Sequence, residues 1–147
     1  MERSVFLGEF EHSIDDKGRV AIPARFREEL AEGFIVTKGF EPCLQAFPKP
    51  LWEQLAFKID RLPLGSPQAR TMRRLIFAPA TEVEVDRQGR ILIPQGLREY
   101  AGLSEEVLIT GMNTYFELWS GQRWRALQEE LNGSGAAIAE QMADLGI

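Results

Sequence analysis

Four basic side chains lie close together in a short stretch of the sequence and are of types that suit contact with DNA. Positions 16 to 27 hold four basic residues and one acid. An arginine guanidinium can donate two parallel hydrogen bonds to O6 and N7 of guanine, and a lysine ammonium can meet a phosphate as a point charge. A glycine beside them permits close approach of the backbone. We therefore expect DNA contacts from Lys17, Gly18, Arg19, Arg25 and Arg27.

A second copy of this stretch follows 71 positions later. From Asp15 onwards, the two copies share the pattern D-x-x-G-R-[VI]-x-I-P-x-x-[FL]-R-E. Self-similarity at a fixed spacing indicates a duplicated structural unit. The second copy adds Arg90 and Arg98 as candidates for DNA contact. It carries Gln88 where the first copy has Lys17, so the first repeat is expected to be the stronger DNA reader.

Each copy predicts the order strand, tight turn, strand, short helix, strand, strand, helix. Phe10, His12 and Ile14 share one face of a segment with period two, which is typical of a strand. Gly18 suits the positive φ of a turn, and Pro23 suits the first turn of a helix. The predicted strands of the first copy lie at 6–14, 19–22, 34–37 and 44–47, and the predicted helices of the chain at 24–30, 49–61, 68–77, 94–102, 121–131 and 136–145.

The duplication also predicts the domain organisation. A unit of roughly 50 residues buries little surface alone, whereas two units about a pseudo-two-fold axis share one core. We therefore expect one α+β domain with a mainly β core and peripheral helices. Its predicted parts are a first repeat at 1–62, a connecting turn and helix at 63–76, a second repeat at 77–131 and a flexible or helical tail at 132–147.

Composition excludes several kinds of site. The 147 residues include one cysteine, Cys43, and one histidine, His12. An intrachain disulfide is therefore impossible, and a metal site built from cysteine and histidine is not expected within one chain. The sequence shows neither a signal peptide nor an apolar run of the roughly 18–20 residues that cross a bilayer. We expect a cytoplasmic protein without cofactor, metal or membrane contact.

Charge and motifs bear on the function. The net charge of −5 is unusual for a DNA-binding protein, although the positive stretch at 16–27 weakens that objection. Neither G-x-x-x-x-G-K-[ST] nor a strand followed by G-x-G-x-x-G occurs, and no serine or cysteine nucleophile has an adjacent histidine motif. We therefore expect a protein that is not an enzyme and has no small-molecule substrate.

The duplicated motif resembles the MraZ family of bacterial transcriptional regulators. The resemblance rests on D-K-G-R-x-x-I-P-x-x-x-R at 16–27, on its repeat and on the Phe-Glu-Leu-Trp run at 116–119, and it covers residues 1–131. It implies a tandem swapped-hairpin fold shared with AbrB-type regulators, in which the hairpins interleave into a small barrel. It also implies a ring-shaped homo-oligomer on the nucleoid. This ring would bind short direct repeats of double-stranded DNA in the promoter of the division and cell-wall gene cluster that includes its own gene, usually as a repressor.

The sequence leaves intramolecular alternatives for the four repeated arginines. Arg19 and Arg90 are placed to pair with the aspartates that open their turns, and Arg27 and Arg98 to pair with nearby acids. Such pairs would stabilise the fold rather than contact DNA.

A protein-binding module is the alternative function. An antitoxin-like protein could use the same hairpin, and exposed Glu9 and Glu11 could serve subunit docking. Two copies of the hairpin and a largely folded length disfavour this interpretation. The basic cluster Arg70, Arg73 and Arg74 is interpreted as a solvated helix face or a subunit contact.

Overall fold

The computed structural model describes residues 6–147, so residues 1–5 of the predicted first repeat lie outside the described part. Eight strands are β1 Glu9–Ser13, β2 Arg19–Ala21, β3 Phe34–Lys38, β4 Leu44–Pro48, β5 Thr81–Val83, β6 Arg90–Leu92, β7 Glu106–Gly111 and β8 Phe116–Ser120. The α-helices are α1 Ala24–Arg27, α2 Lys49–Asp60, α3 Pro67–Ile76, α4 Gln95–Ala101, α5 Gly121–Asn132 and α6 Gly135–Asp144. None of the helices in this described range has the length and apolar character needed to cross a membrane.

The strands form one six-stranded antiparallel sheet and a separate two-stranded ribbon. The sheet order is β1-β7-β8-β4-β3-β5, and the ribbon pairs β2 with β6. The first strand of each repeat pairs with the third strand of the other repeat. Strand β1 pairs with β7, and β5 pairs with β3. The expected α+β architecture is confirmed. The pairing among the described strands leaves the sheet open between its edges β1 and β5, so the swapped-hairpin barrel stays a prediction.

Strand pairing relates the two repeats by a local two-fold axis. At the centre of the large sheet, Gln45 lies opposite Glu117, and these residues occupy equivalent positions of the two copies. At the centre of the ribbon, Val20 lies opposite Ile91, which are also equivalent. The same axis therefore passes through both β layers, and each repeat contributes one strand to the ribbon.

One core lies between the ribbon and the large sheet. Phe26 of α1 packs edge-on against Phe6 with ring centroids 5.0 Å apart, and lies 5.4 Å from Phe116 of the second repeat. Val20 and Ile91 on the inner face of the ribbon are buried in the same cluster. Because apolar residues of both repeats fill this cluster, the shared core expected from the duplication is confirmed.

Local signals set the ends of most helices. The Ser120 hydroxyl accepts a hydrogen bond from Arg123 N at 3.1 Å and caps α5, as predicted. Gly102 has a φ of 68° and ends α4. The first predicted helix is shorter than expected: α1 has four residues, and a 3-10 turn at Glu28–Leu30 follows it. The predicted tail helix is confirmed as α6, none of whose residues is buried.

Candidate nucleic-acid interface

Asp15 organises the first hairpin turn. Its carbonyl oxygen accepts from Gly18 N at 3.0 Å, which closes the turn between β1 and β2. Its carboxylate oxygen Oδ1 accepts from Lys17 N at 3.0 Å and Arg19 N at 2.8 Å. Asp86 makes the corresponding contacts in the second turn. An aspartate that accepts backbone N–H groups ahead of it favours the turn locally.

The two strand arginines pair with these aspartates. Arg19 Nε lies 2.7 Å from Asp15 Oδ2, and Arg90 Nε lies 3.5 Å from Asp86 Oδ2. The intramolecular alternative considered from the sequence is therefore present in the structure. Both contacts use Nε, and the terminal amino groups of the two guanidiniums make no hydrogen bond within the described residues. Because a guanidinium carries five donors, an arginine held in this way can still donate to a guanine.

Arg27 and Arg98 have a different role from the strand arginines. Arg27 Nε donates to Ile22 O at 2.8 Å, and Arg98 Nε donates to Ile93 O at 2.9 Å. Their partners are backbone carbonyls rather than the acids that the sequence offered. Each guanidinium packs against the turn glycine of the other repeat, which fastens the two hairpins together.

The turn glycines are required by this packing. Gly18 has a φ of +92° and Gly89 one of +78°, both in the region that favours glycine. A Cβ at Gly18 would lie 2.6 Å from Arg98 Nε and 2.7 Å from Ile93 O. Gly18 O accepts from Ile93 N, and Gly89 O accepts from Ile22 N, both at 2.8 Å. Each turn glycine is therefore required for contact between the repeats, in addition to the close approach to DNA that the sequence predicts for it.

The outer face of the ribbon carries the two strand arginines. Arg19 lies opposite Leu92, and Arg90 lies opposite Ala21. The central pair of the ribbon is buried, so the residues on either side of it point away from the core. Arg19 and Arg90 therefore lie at opposite ends of one surface that is built by both repeats.

Comparison with known proteins agrees with this duplicated geometry. A family model described as "MraZ protein, putative antitoxin-like" matches residues 5–75 and again residues 76–145. The chain belongs to the MraZ family. The first match includes all of α3 except Ile76, and the second match includes α6, whereas the repeat boundaries inferred from the sequence stay predictions.

MraZ relatives match over nearly the whole chain. The protein named "Transcriptional regulator MraZ" from Roseiflexus castenholzii is 48% identical over 141 residues, 96% of this chain and 99% of the relative. The protein of that name from Thermomicrobium roseum is 49% identical over 96% of this chain and 99% of its own. The one from Acetivibrio thermocellus is 50% identical over 97% of this chain and 100% of its own.

Three further basic residues lie around the ribbon of this MraZ chain. Lys17 and Arg25 are exposed, and the Arg25 guanidinium lies over the Phe10 ring at 5.7 Å, which holds it beside β1. Arg87 is exposed in the second turn and was missed in the sequence analysis. It occupies the position of Asp16, one residue before Gln88, and comparison of the variable positions within the shared motif would have found it. The second turn is therefore also basic.

Charged residues elsewhere on this MraZ chain have internal partners. Arg73 of α3 pairs with Asp60 at 3.2 Å, where it joins α3 to the end of α2. Glu9 accepts from Trp124 Nε1 at 3.1 Å and so holds α5 beside β1. Arg73 and Glu9, which the sequence offered as residues for subunit contact, therefore have partners within the chain.

We expect Gly18→Ala to destabilise the MraZ fold by at least about 2 kcal/mol, because alanine is strained at this φ and its Cβ overlaps the Arg98 guanidinium. The matched control is Gly96→Ala in α4, where an added Cβ meets no atom within 4 Å. Alanine there should be neutral or stabilise the protein by up to about 1 kcal/mol. Urea unfolding of the two variants measures the difference, and equal stabilities would contradict the packing described.

The first turn should lose stability in acid. The Arg19 N–H, its guanidinium and the Lys17 N–H lower the pKa of Asp15 to about 2, although desolvation acts in the opposite direction. Because its pKa is lowered on folding, the carboxylate stabilises the fold fully when the pH is above the unfolded pKa of about 3.9, and it loses this effect as the pH falls toward about 2. Carboxyl chemical shifts of Asp15 should titrate in that range. Asp15→Asn should flatten the acid side of the stability curve, and an unchanged curve would contradict the assignment.

Proposed function

We propose that this chain is a sequence-specific DNA-binding transcriptional regulator. The relatives carry the name of transcriptional regulators, and the family is not one of enzymes. The finer proposal is a repressor of the division and cell-wall gene cluster, including its own promoter, that binds short direct repeats as a ring-shaped oligomer. We also propose that it works in the cytoplasm on the nucleoid. The support for these details is the resemblance of the duplicated motif to the MraZ family.

The observation that carries the proposal is the outer face of the β2–β6 ribbon. A two-stranded ribbon fits the major groove of B-DNA, where each base pair presents a distinct set of donors and acceptors. Arg19 and Arg90 project from this face. The hydrogen bond from Arg19 Nε to Asp15 fixes the Arg19 side chain before binding, whereas Arg90 Nε lies 3.5 Å from Asp86 and makes no hydrogen bond among the described residues. A guanidinium that is already ordered loses less conformational entropy when it meets guanine.

The other candidates have supporting roles in this proposal. Lys17 and Arg87 at the tips of the turns are exposed and suit phosphate contacts. Arg25 lies beside the first hairpin as a further phosphate contact. Arg27 and Arg98 act through the ribbon, because each holds the glycine turn of the opposite repeat.

The acidic net charge is compatible with DNA binding when several weak contacts act together. The basic residues on and around the ribbon lie beside the acidic Asp15, Asp16 and Asp86, and the net charge of the chain is −5. Several ribbons in one oligomer on successive DNA repeats raise the effective concentration of each for its site. Binding should therefore depend strongly on salt and on assembly.

Titration of labelled DNA from upstream of the gene, at two salt concentrations beside scrambled DNA, tests the proposal. We expect Arg19→Ala to lose about 1–3 kcal/mol of preference for the native sequence, since it removes a base contact. Lys17→Ala should weaken both duplexes alike and lower the salt slope by about 1. The matched control is Arg74→Ala on the exposed face of α3, which should bind like the unchanged protein.

Light scattering on each variant separates DNA contact from assembly. Arg19→Ala should keep the oligomeric state of the unchanged protein. Equal affinity for native and scrambled DNA in the unchanged protein would overturn sequence-specific recognition. No binding to either duplex at low salt would overturn DNA binding and favour the protein-binding module.

A further inference from the structure

The last two helices of each repeat carry the same apolar pattern. On α2 and α5 the equivalent residues are Trp52 and Trp124, Leu55 and Leu127, and Ile59 and Leu131. On α3 and α6 the shared pattern is Ala-x-x-Met-x-x-Leu, at 69–75 and 139–145. Equivalent sequences predict equivalent packing, so α6 is expected to lie against α5 as α3 lies against α2.

In the first repeat this packing is present. Helix α3 contacts α2 and β3. Ala69 of α3 and Ile59 of α2 are buried, with 4% and 3% of their surface exposed. The Thr37 hydroxyl on β3 donates to Ile76 O at the end of α3, at 2.7 Å. The outer face of the sheet is thus closed by a helix whose last carbonyl group satisfies a buried hydroxyl.

In the second repeat the two equivalent apolar positions are exposed, whereas the equivalent threonine is buried. Leu131, the equivalent of Ile59, is 44% exposed, and Ala139, the equivalent of Ala69, is exposed. Thr110 on β7 is the equivalent of Thr37, since it lies opposite Glu117 as Thr37 lies opposite Gln45. Its hydroxyl is buried and has no hydrogen-bond partner among the described residues.

Two physical costs accompany this arrangement. A buried hydroxyl without a partner loses its bonds to water and gains none in return. A ten-residue helix is too short to be stable by itself in water, where roughly 12–15 residues are needed. Met142 and Leu145 of the shared pattern are also exposed on α6 and its end. Docking of α6 beside Thr110 would cover the exposed side chains of α6, and it would satisfy the hydroxyl once the groups that now cover Thr110 move aside.

We propose that α6 docks on α5 and β7 of its own chain, in a seat equivalent to that of α3 on α2 and β3. In this docked state the Thr110 hydroxyl donates to a backbone carbonyl group at the end of α6, and Ala139 packs toward Leu131. The connection is Gly133 and Ser134, and Gly135 is the first residue of α6, so the freedom of φ at these two glycines allows α6 to turn back.

The docked helix is held less tightly than α3. Arg73 of α3 forms an ion pair with Asp60 of α2, whereas the equivalent positions of the second repeat are Ala143 and Asn132. The second seat therefore lacks this ion pair and relies on apolar contact and the Thr110 hydrogen bond. A docked and an undocked state of α6 then exchange, while α3 stays in place. This inference concerns the tail of the chain and is independent of DNA binding.

Amide hydrogen exchange of the full-length protein tests the docking. The test variant is Ala139→Glu, which places a carboxylate in the seat, and the matched control is Gln141→Glu, which adds the same group at the position of exposed Thr71. We expect protection of α6 in the unchanged protein and in Gln141→Glu, and its loss in Ala139→Glu. Exchange of α6 that is equally fast in all three proteins would overturn the proposal.

Two valine variants test the hydrogen bond. Thr110→Val should speed exchange of α6 about fivefold and leave α3 unchanged, since one net hydrogen bond contributes about 1 kcal/mol. Thr37→Val should speed exchange of α3 and leave α6 unchanged. Unchanged α6 exchange in Thr110→Val would overturn the assignment of the carbonyl partner. Protection of α6 that disappears on dilution would show that a second copy fills the seat, which contradicts docking within one chain.

Discussion

The ribbon depends on one reciprocal contact, in which an arginine of each repeat packs on the turn glycine of the other. Arg27 lies against Gly89 and Arg98 against Gly18, and each guanidinium is tied by Nε to a carbonyl group of its own repeat. A side chain on either glycine would occupy the space of the guanidinium. Neither hairpin can therefore reach its observed position without the other, and the two form a single unit.

The exposed chemistry of the ribbon follows from this interlock. Because Val20 and Ile91 meet on the local two-fold axis and face the core, the alternation of a strand turns Arg19 and Arg90 outward. The exchange of strands in the large sheet buries apolar residues of both repeats in one core, which supports the ribbon from below. Asp15 then holds Arg19 by a hydrogen bond, and Asp86 lies in a longer ion pair with Arg90.

Features set by neighbouring residues could be predicted from the sequence. The alternation in β1 is a pattern within a few residues, and the Asp15 hydrogen bonds of the first turn and the Ser120 cap are contacts within a few residues. The packing of Arg27 on Gly89 was not predictable in this way, since Gly89 lies in the other repeat and no local pattern joins the two residues. Arg87 was missed because the shared motif has a variable residue at that position. Helices α3 and α6 share a sequence pattern, so the sequence predicts the same packing for both. Only the structure shows that α3 has buried residues and that α6 has none.

The claim that the interlocked ribbon reads the major groove is tested most directly by dimethyl sulfate methylation of the promoter DNA with the protein bound. The reagent methylates N7 of guanine in the major groove and N3 of adenine in the minor groove. The account predicts that bound protein protects guanine N7, and that Arg19→Ala and Arg90→Ala each lose protection at different guanines of one site. Protection of adenine N3 with unprotected guanine N7 would contradict it, because the ribbon would then lie in the minor groove.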